Sequence, residues 1–146
     1  MLTRSAGATE RVNQLVEEYI AALDSRDFDA WLALYDESGH YAVLRRVEAD
    51  TGNNFVLVGE DMKRLRGRVQ SAVQRDKRRT LHTVSWIRQQ SEDRATAGFA
   101  LWMDGVPAYS GEYRFEFIEA PERLQLRQCT VVLDNAMIRQ PIYAPI

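Results

Sequence analysis

The sequence predicts an α+β domain: a curved antiparallel sheet covered by three helices from the N-terminal half. Three observations predict it. Helix-period apolar spacing is confined to the first half of the chain. From Arg79 onward the period changes to two, in long strands divided by short polar turns. Helices gathered on one side of long antiparallel strands make an α+β arrangement, and such strands must twist and curl.

The elements follow in order. Residues 1–8 read as a flexible tail, and residues 9–146 as a single domain. Thr9 can cap a helix carrying Val12, Leu15, Val16, Tyr19, Ile20 and Leu23 on one face. Asp27 can cap a second helix with Phe28, Trp31, Leu32 and Leu34, ending in Tyr35-Asp36. A first strand is expected over residues 40–46. A loop over residues 48–54 and a short apolar piece over 55–58 follow. Gly59-Glu60-Asp61 opens a third helix with the apolar stripe Met62, Leu65, Val69, Ala72 and Val73. Strands are expected over residues 81–90, 95–103, 108–118 and 124–134. Asp104-Gly105 is a hairpin signal, and Gly111 marks a close approach on the sheet.

Composition narrows the function. The 146 residues are long enough for one hydrophobic core. With 19 Lys and Arg against 21 Asp and Glu, the net charge of -2 gives no basic surplus for nucleic acid. Cys129 is the one cysteine, so neither an internal disulfide nor a cysteine-cluster metal site can form. It reads as a buried, inert thiol. No run reaches membrane-spanning length, and the N-terminal stretch lacks the apolar core of a signal peptide. A cytoplasmic protein without nucleic-acid or membrane partners is expected. No phosphate-binding loop or dinucleotide fingerprint is present.

Curled around its helices, the sheet forms a cone, and inward positions would line its interior. The candidates are Tyr19, Asp24, Tyr35, Asp36, Tyr41, His82, Trp102 and Tyr109. One reading makes His82 a general acid or base, with Asp36 orienting it and Tyr41 polarising a carbonyl. The other makes His82 a partly buried structural histidine bonded to a carboxylate or to backbone. His40 lies on the opposite strand face from Tyr41, so the two cannot line one pocket. Two histidines without paired ligand spacing do not suggest a metal site.

Other residues suggest contacts. Glu112, Arg114 and Glu116 make a mixed-charge sheet face, either solvated or packed on a partner. Ile142, Tyr143 and Ile146 near the end of the chain either tuck back on the domain or insert into another subunit. Arg79, Trp86, Arg114, Ile142, Tyr143 and Ile146 are the candidate subunit contacts.

The element order resembles the NTF2-like fold. Several motifs in sequence also resemble the small (β) subunit of the Rieske-type aromatic-ring-hydroxylating oxygenases. They are Tyr19-Ile20-Ala21-Ala22-Leu23-Asp24, then Trp31-Leu32-Ala33-Leu34-Tyr35 and His40-Tyr41; Asp61-Met62 through Arg68-Val69; Leu81-His82-Thr83-Val84-Ser85; and Gly111-Glu112-Tyr113-Arg114. Leu126-Arg127-Gln128-Cys129, Val132-Leu133-Asp134 and Ile142-Tyr143-Ala144-Pro145-Ile146 complete the set. The segment between Val69 and His82 departs from the family in being short and rich in arginine and lysine.

The resemblance implies a non-catalytic structural subunit acting in aromatic hydrocarbon catabolism. It implies trimerisation and a large (α) oxygenase subunit as partner. The Rieske 2Fe-2S cluster and mononuclear iron are expected in that partner, with no cofactor in this chain. The competing expectation is a cofactor-independent NTF2-like isomerase or dehydratase using His82, Asp36 and Tyr41. A third is a small-molecule binding cone without catalysis.

Overall fold

Apolar periodicity distributes the chain between a helical layer and a sheet. The computed structural model describes residues 6–52, 56–139 and 141–146. Residues 1–5 of the expected tail lie outside them. Helix α1 (Ala6–Asp24) begins before Thr9, which lies inside the helix. Its buried face is Val12, Leu15, Val16, Tyr19, Ala22 and Leu23, the i, i+3, i+4 pattern of one stripe. Asp27 caps α2 (Phe28–Ala33), its carboxylate accepting the Ala30 N–H at 3.1 Å.

Helix α2 stops before Tyr35, which belongs to strand β1 (Tyr35–Arg45). The sheet takes over the backbone there: Leu126 N–H donates to Leu34 O at 2.7 Å, and Tyr35 pairs with Leu126. Where a loop was expected over residues 48–54, a short helix α3 (Arg46–Thr51) forms and ends on Gly52 in the left-handed region. Residues 53–55 lie outside the described residues. Gly59, Glu60 and Asp61 belong to strand β2 (Val58–Asp61). Helix α4 (Met62–Arg75) then starts on the Asp61 side-chain cap, which accepts Arg64 N–H at 2.9 Å. Met62, Leu65, Val69 and Ala72 are buried, but Val73 is exposed at the edge of the stripe.

The remaining strands are β3 (Thr80–Gln89), β4 (Arg94–Met103), β5 (Val106–Glu119) and β6 (Leu124–Leu133). The sheet order is β2-β1-β6-β5-β4-β3. Neighbours are antiparallel except β1 and β6, which run parallel with Tyr41 opposite Cys129. The β4–β5 turn has both Asp104 and Gly105 at positive φ, 52° and 79°, as a two-residue hairpin of the right-handed sheet twist requires. Gly111 sits so close to β6 that a Cβ there would run into the Val132 carbonyl.

Aromatic rings fill the interior of the cone. Phe99, Tyr113, Phe115 and Phe117 stack in succession along the inner face of the sheet, at centroid spacings of 4.3, 5.4 and 6.1 Å. Tyr19 from α1 meets Trp31, Tyr113 and Phe115 edge-on, and Trp31 meets Tyr35 and Tyr41. Ile146 is inserted among them and is 0% exposed. Its N–H donates to the Tyr41 hydroxyl at 2.9 Å, and its carbonyl accepts from the Tyr19 hydroxyl at 2.7 Å.

Two stability tests follow from this packing. Gly111→Ala is expected to cost about 2 kcal/mol, lowering Tm by roughly 6 °C, because backbone on the adjacent strand must move. Tyr41→Phe leaves the Ile146 N–H without its buried acceptor and is expected to cost about 1–3 kcal/mol in denaturant unfolding. An unchanged unfolding midpoint in either variant would contradict the packing assigned here.

Candidate functional site

An aspartate in the last turn of a helix opposes the helix macrodipole, so Asp24 must gain elsewhere. It gains from β3. Its carboxylate accepts the Thr80 hydroxyl at 3.0 Å and the His82 backbone N–H at 2.9 Å. It also meets His82 Nδ1 at 2.5 Å. Burial by itself would raise the Asp24 pKa. The hydrogen bonds from the His82 side chain and backbone and from Thr80 outweigh it, and the pKa is lowered.

Strand alternation turns Thr80, His82 and Val84 toward α1. The His82 side chain is 1% exposed and its ring lies 6.5 Å from that of Phe99. Because the Asp24 carboxylate can only accept, His82 Nδ1–H is the donor of this pair. Nε2 is buried and has no hydrogen-bond partner among the described residues. His82 lines an open groove of about 670 Å³ between α1 and β3.

The expected trio does not converge. Asp36 is not the partner of His82: its carboxylate accepts the Ser38 N–H at 2.9 Å and the Ser38 hydroxyl, which lower its pKa. A short local turn captured the residue. Tyr41 is fully buried, its hydroxyl engaged by Ile146, and burial raises its pKa. Asp24 therefore takes the orienting role that the sequence reading gave to Asp36. The signal was present, since a carboxylate at the C-terminal end of a helix is electrostatically misplaced.

The other candidates scatter. Tyr19 and Tyr35 are core residues whose pKa values are raised by burial, and Tyr109 is buried on β5. Trp102 faces outward. Cys129 is fully buried beside Tyr19, 3.4 Å from its hydroxyl, and burial pushes its thiol up to about 12. It is no nucleophile at neutral pH.

Among the proposed contacts, Arg79 and Arg114 are exposed, as are Trp86 (43%) and Tyr143 (45%). Ile142 is half-buried against the core. Ile146 is not available to another subunit, because its own chain buries it completely. The mixed-charge face is internally paired: Glu112 with Arg46 at 2.6 Å, and Glu116 with Arg94 at 3.2 Å.

No group of three or more His, Cys, Asp or Glu side chains that could hold a metal comes together among the described residues. The donor set does not fit an iron–sulfur cluster, which needs several thiolates or exposed imidazoles. The lone thiol is buried and protonated, and His82 Nδ1 is bound to Asp24. No helix among the described residues is long and apolar enough to cross a membrane.

Comparison with known proteins identifies the surroundings of this fold. The sequence model described as "Ring hydroxylating beta subunit" matches residues 20–140. No curated protein matches the sequence. Among solved structures, the β subunit of a provisionally assigned aromatic-ring-hydroxylating dioxygenase from Novosphingobium aromaticivorans superposes with a TM-score of 0.82 at 21% identity. That match covers 95% of this chain and 97% of that one. The β subunit of benzoate 1,2-dioxygenase from Burkholderia mallei gives 0.70 at 18% identity, covering 98% and 99%. A protein provisionally described as scytalone dehydratase, also from N. aromaticivorans, gives 0.68 at 13% identity, covering 93% and 90%. At these identities the structural matches establish the fold, a cystatin-like or NTF2-like cone.

The Asp24 clamp has a pH signature. Its folded pKa lies below the ordinary value of 3.8, so the unfolded chain takes up the proton first. The contribution is present above the unfolded pKa and is lost as pH falls through the folded one. Unfolding free energy is expected to decline as pH falls through and below the ordinary carboxylate value, with a shallower slope in Asp24→Asn. The same variant is expected to lose about 2 kcal/mol at neutral pH. An identical slope would remove Asp24 from the acid response.

Proposed function

Because this chain belongs to the ring hydroxylating beta subunit family, we propose that it is the non-catalytic small subunit of an aromatic-ring-hydroxylating oxygenase, working in the cytoplasm in aromatic compound catabolism. The observation that carries the proposal is the family match over residues 20–140, which spans β1, α4 and the long strands. Two further features support it. The interior is filled with aromatic side chains, and the tyrosine hydroxyls in it have pKa values raised by burial, which suits a scaffold better than a reaction chamber. The Rieske cluster and the mononuclear iron are assigned to the large subunit on the strength of the family match.

In this role the chain self-associates as a trimer and seats the large subunits. Arg79, Arg114 and Tyr143 are the exposed contacts assigned to these interfaces, with Ile142 anchoring the tail that presents Tyr143. Trp86, also exposed, is a further candidate contact. The experiment is co-expression with a Rieske-type large subunit encoded beside it. A co-purifying complex with equal numbers of the two chains is expected, with ring hydroxylation lost when this chain is omitted. Tyr143→Ala and Arg114→Glu are expected to weaken co-purification while leaving Tm unchanged. A large subunit that assembles and turns over fully without this chain would overturn the proposal.

A further inference from the structure

Positive charge is concentrated in one stretch of an otherwise acidic chain. Residues 62–79 hold eight of the 19 Lys and Arg and one acid, Asp76, which leaves 11 basic and 20 acidic residues for the rest. Part of that charge is aligned. Arg64, Arg68, Ser71 and Arg75 of α4 follow i, i+4, i+7, i+11 spacing, one stripe beside the buried face and about 16 Å long at about 1.5 Å per residue. They line a groove of about 480 Å³ whose other wall includes Tyr143 of the tail. Glu60 pairs with Arg68 at 2.8 Å, whereas Arg64 and Arg75 are exposed and make no ion pair among the described residues. Arg64 also stands in the first turn of α4, where the helix dipole disfavours a cation, so its charge does not serve the helix. Beyond Arg75 and Tyr143 a second groove of about 430 Å³ continues to Lys77 and Asp104.

An occupant of this surface must bring negative charge to two unpaired guanidinium groups and contact area to a tyrosine. Arg and Tyr are among the residue types that carry most binding energy where proteins meet, and a guanidinium matches a carboxylate as a bidentate fork. A second copy of this chain does not suit the position. Its acidic groove, lined by Glu10, Glu92, Asp93 and Glu119, includes the residue just before β4, whereas Asp104 of the basic end follows the last residue of β4, roughly 33 Å away at about 3.3 Å per residue. Copies joined through opposite ends extend as an open file instead of closing on themselves. We propose that the groove between α4 and Tyr143 docks a carboxylate-rich segment of a different protein. In the assembly proposed above that protein is the large subunit, and to this extent the inference rests on that reading.

The full chain is titrated by fluorescence anisotropy with a labelled glutamate-rich peptide and with its glutamine counterpart. The glutamate peptide is expected to bind about tenfold more tightly, with an affinity that falls as salt is raised. The double variant Arg64→Gln/Arg75→Gln is expected to remove that preference. Lys63→Glu lowers the net charge by the same amount from a different face of α4 and is expected to leave the preference within about twofold. All three positions are exposed, so the variants keep the wild-type Tm. In the co-expressed complex the double variant is expected to weaken retention of the large subunit about tenfold relative to Lys63→Glu. Equal binding of the two peptides, a Lys63→Glu loss as large as that of the double variant, or a complex indifferent to the double variant would overturn the proposal. So would a single-stranded RNA oligonucleotide that binds through the same arginines more tightly than the glutamate peptide. A wild-type chain that forms no complex removes the large-subunit reading, while the peptide titration still decides the groove.

Discussion

The Asp24 carboxylate is the point at which the helical layer is tied to the edge of the sheet. Strand β3 has one sheet neighbour, β4, and its other side would be an open edge. Three groups of β3 converge on Asp24: the Thr80 hydroxyl, the His82 N–H and the His82 ring. An acceptor-only carboxylate with two oxygens can take all three, and doing so offsets both its partial burial and its unfavourable place on the helix dipole. The rotation of α1 over the sheet, the donor role of His82 Nδ1 and the groove between them all depend on that clamp.

A second set of polar contacts lies within the core. Tyr19 and Tyr41 reach inward from α1 and β1 and take hold of the Ile146 backbone, one through its carbonyl and the other through its N–H. Such contacts are strong constraints in a water-free interior, because each partner left alone would be a buried unsatisfied group. They also commit the tyrosines. Hydroxyls that are fully buried, with pKa values raised by desolvation, do not exchange protons with a substrate near neutral pH. The aromatic column on the sheet and the inserted isoleucine leave the centre of the domain packed.

Membership in the ring hydroxylating beta subunit family and this packing lead in the same direction. Many ionisable side chains are engaged in local pairs, such as Arg68 with Glu60, Arg78 with Asp76, and Arg46 with both Glu112 and Asp134. These pairs order loops and strand edges and do not converge on a reactive centre.

The sequence by itself determined the layers. Period-two alternation placed Ala95, Ala97, Phe99, Leu101 and Met103 inside, because a strand can bury only one face, and period-3.6 spacing did the same for α1. Asp27 and Asp61 were legible as caps and Asp104-Gly105 as a hairpin, since these are local geometries with local chemical requirements. The family resemblance was legible too, as an ordered set of modest motifs. Tertiary structure alone decided which carboxylate met His82. Asp24 and Asp36 are equally acidic in sequence, but a serine two residues on captured Asp36, while the crossing of α1 over β3 delivered Asp24. It also decided that β1 and β6 run parallel and that Ile146 turns inward and not toward a neighbour. Those outcomes depend on contacts between residues far apart in the chain, and no local pattern encodes a partner that is brought near only by folding.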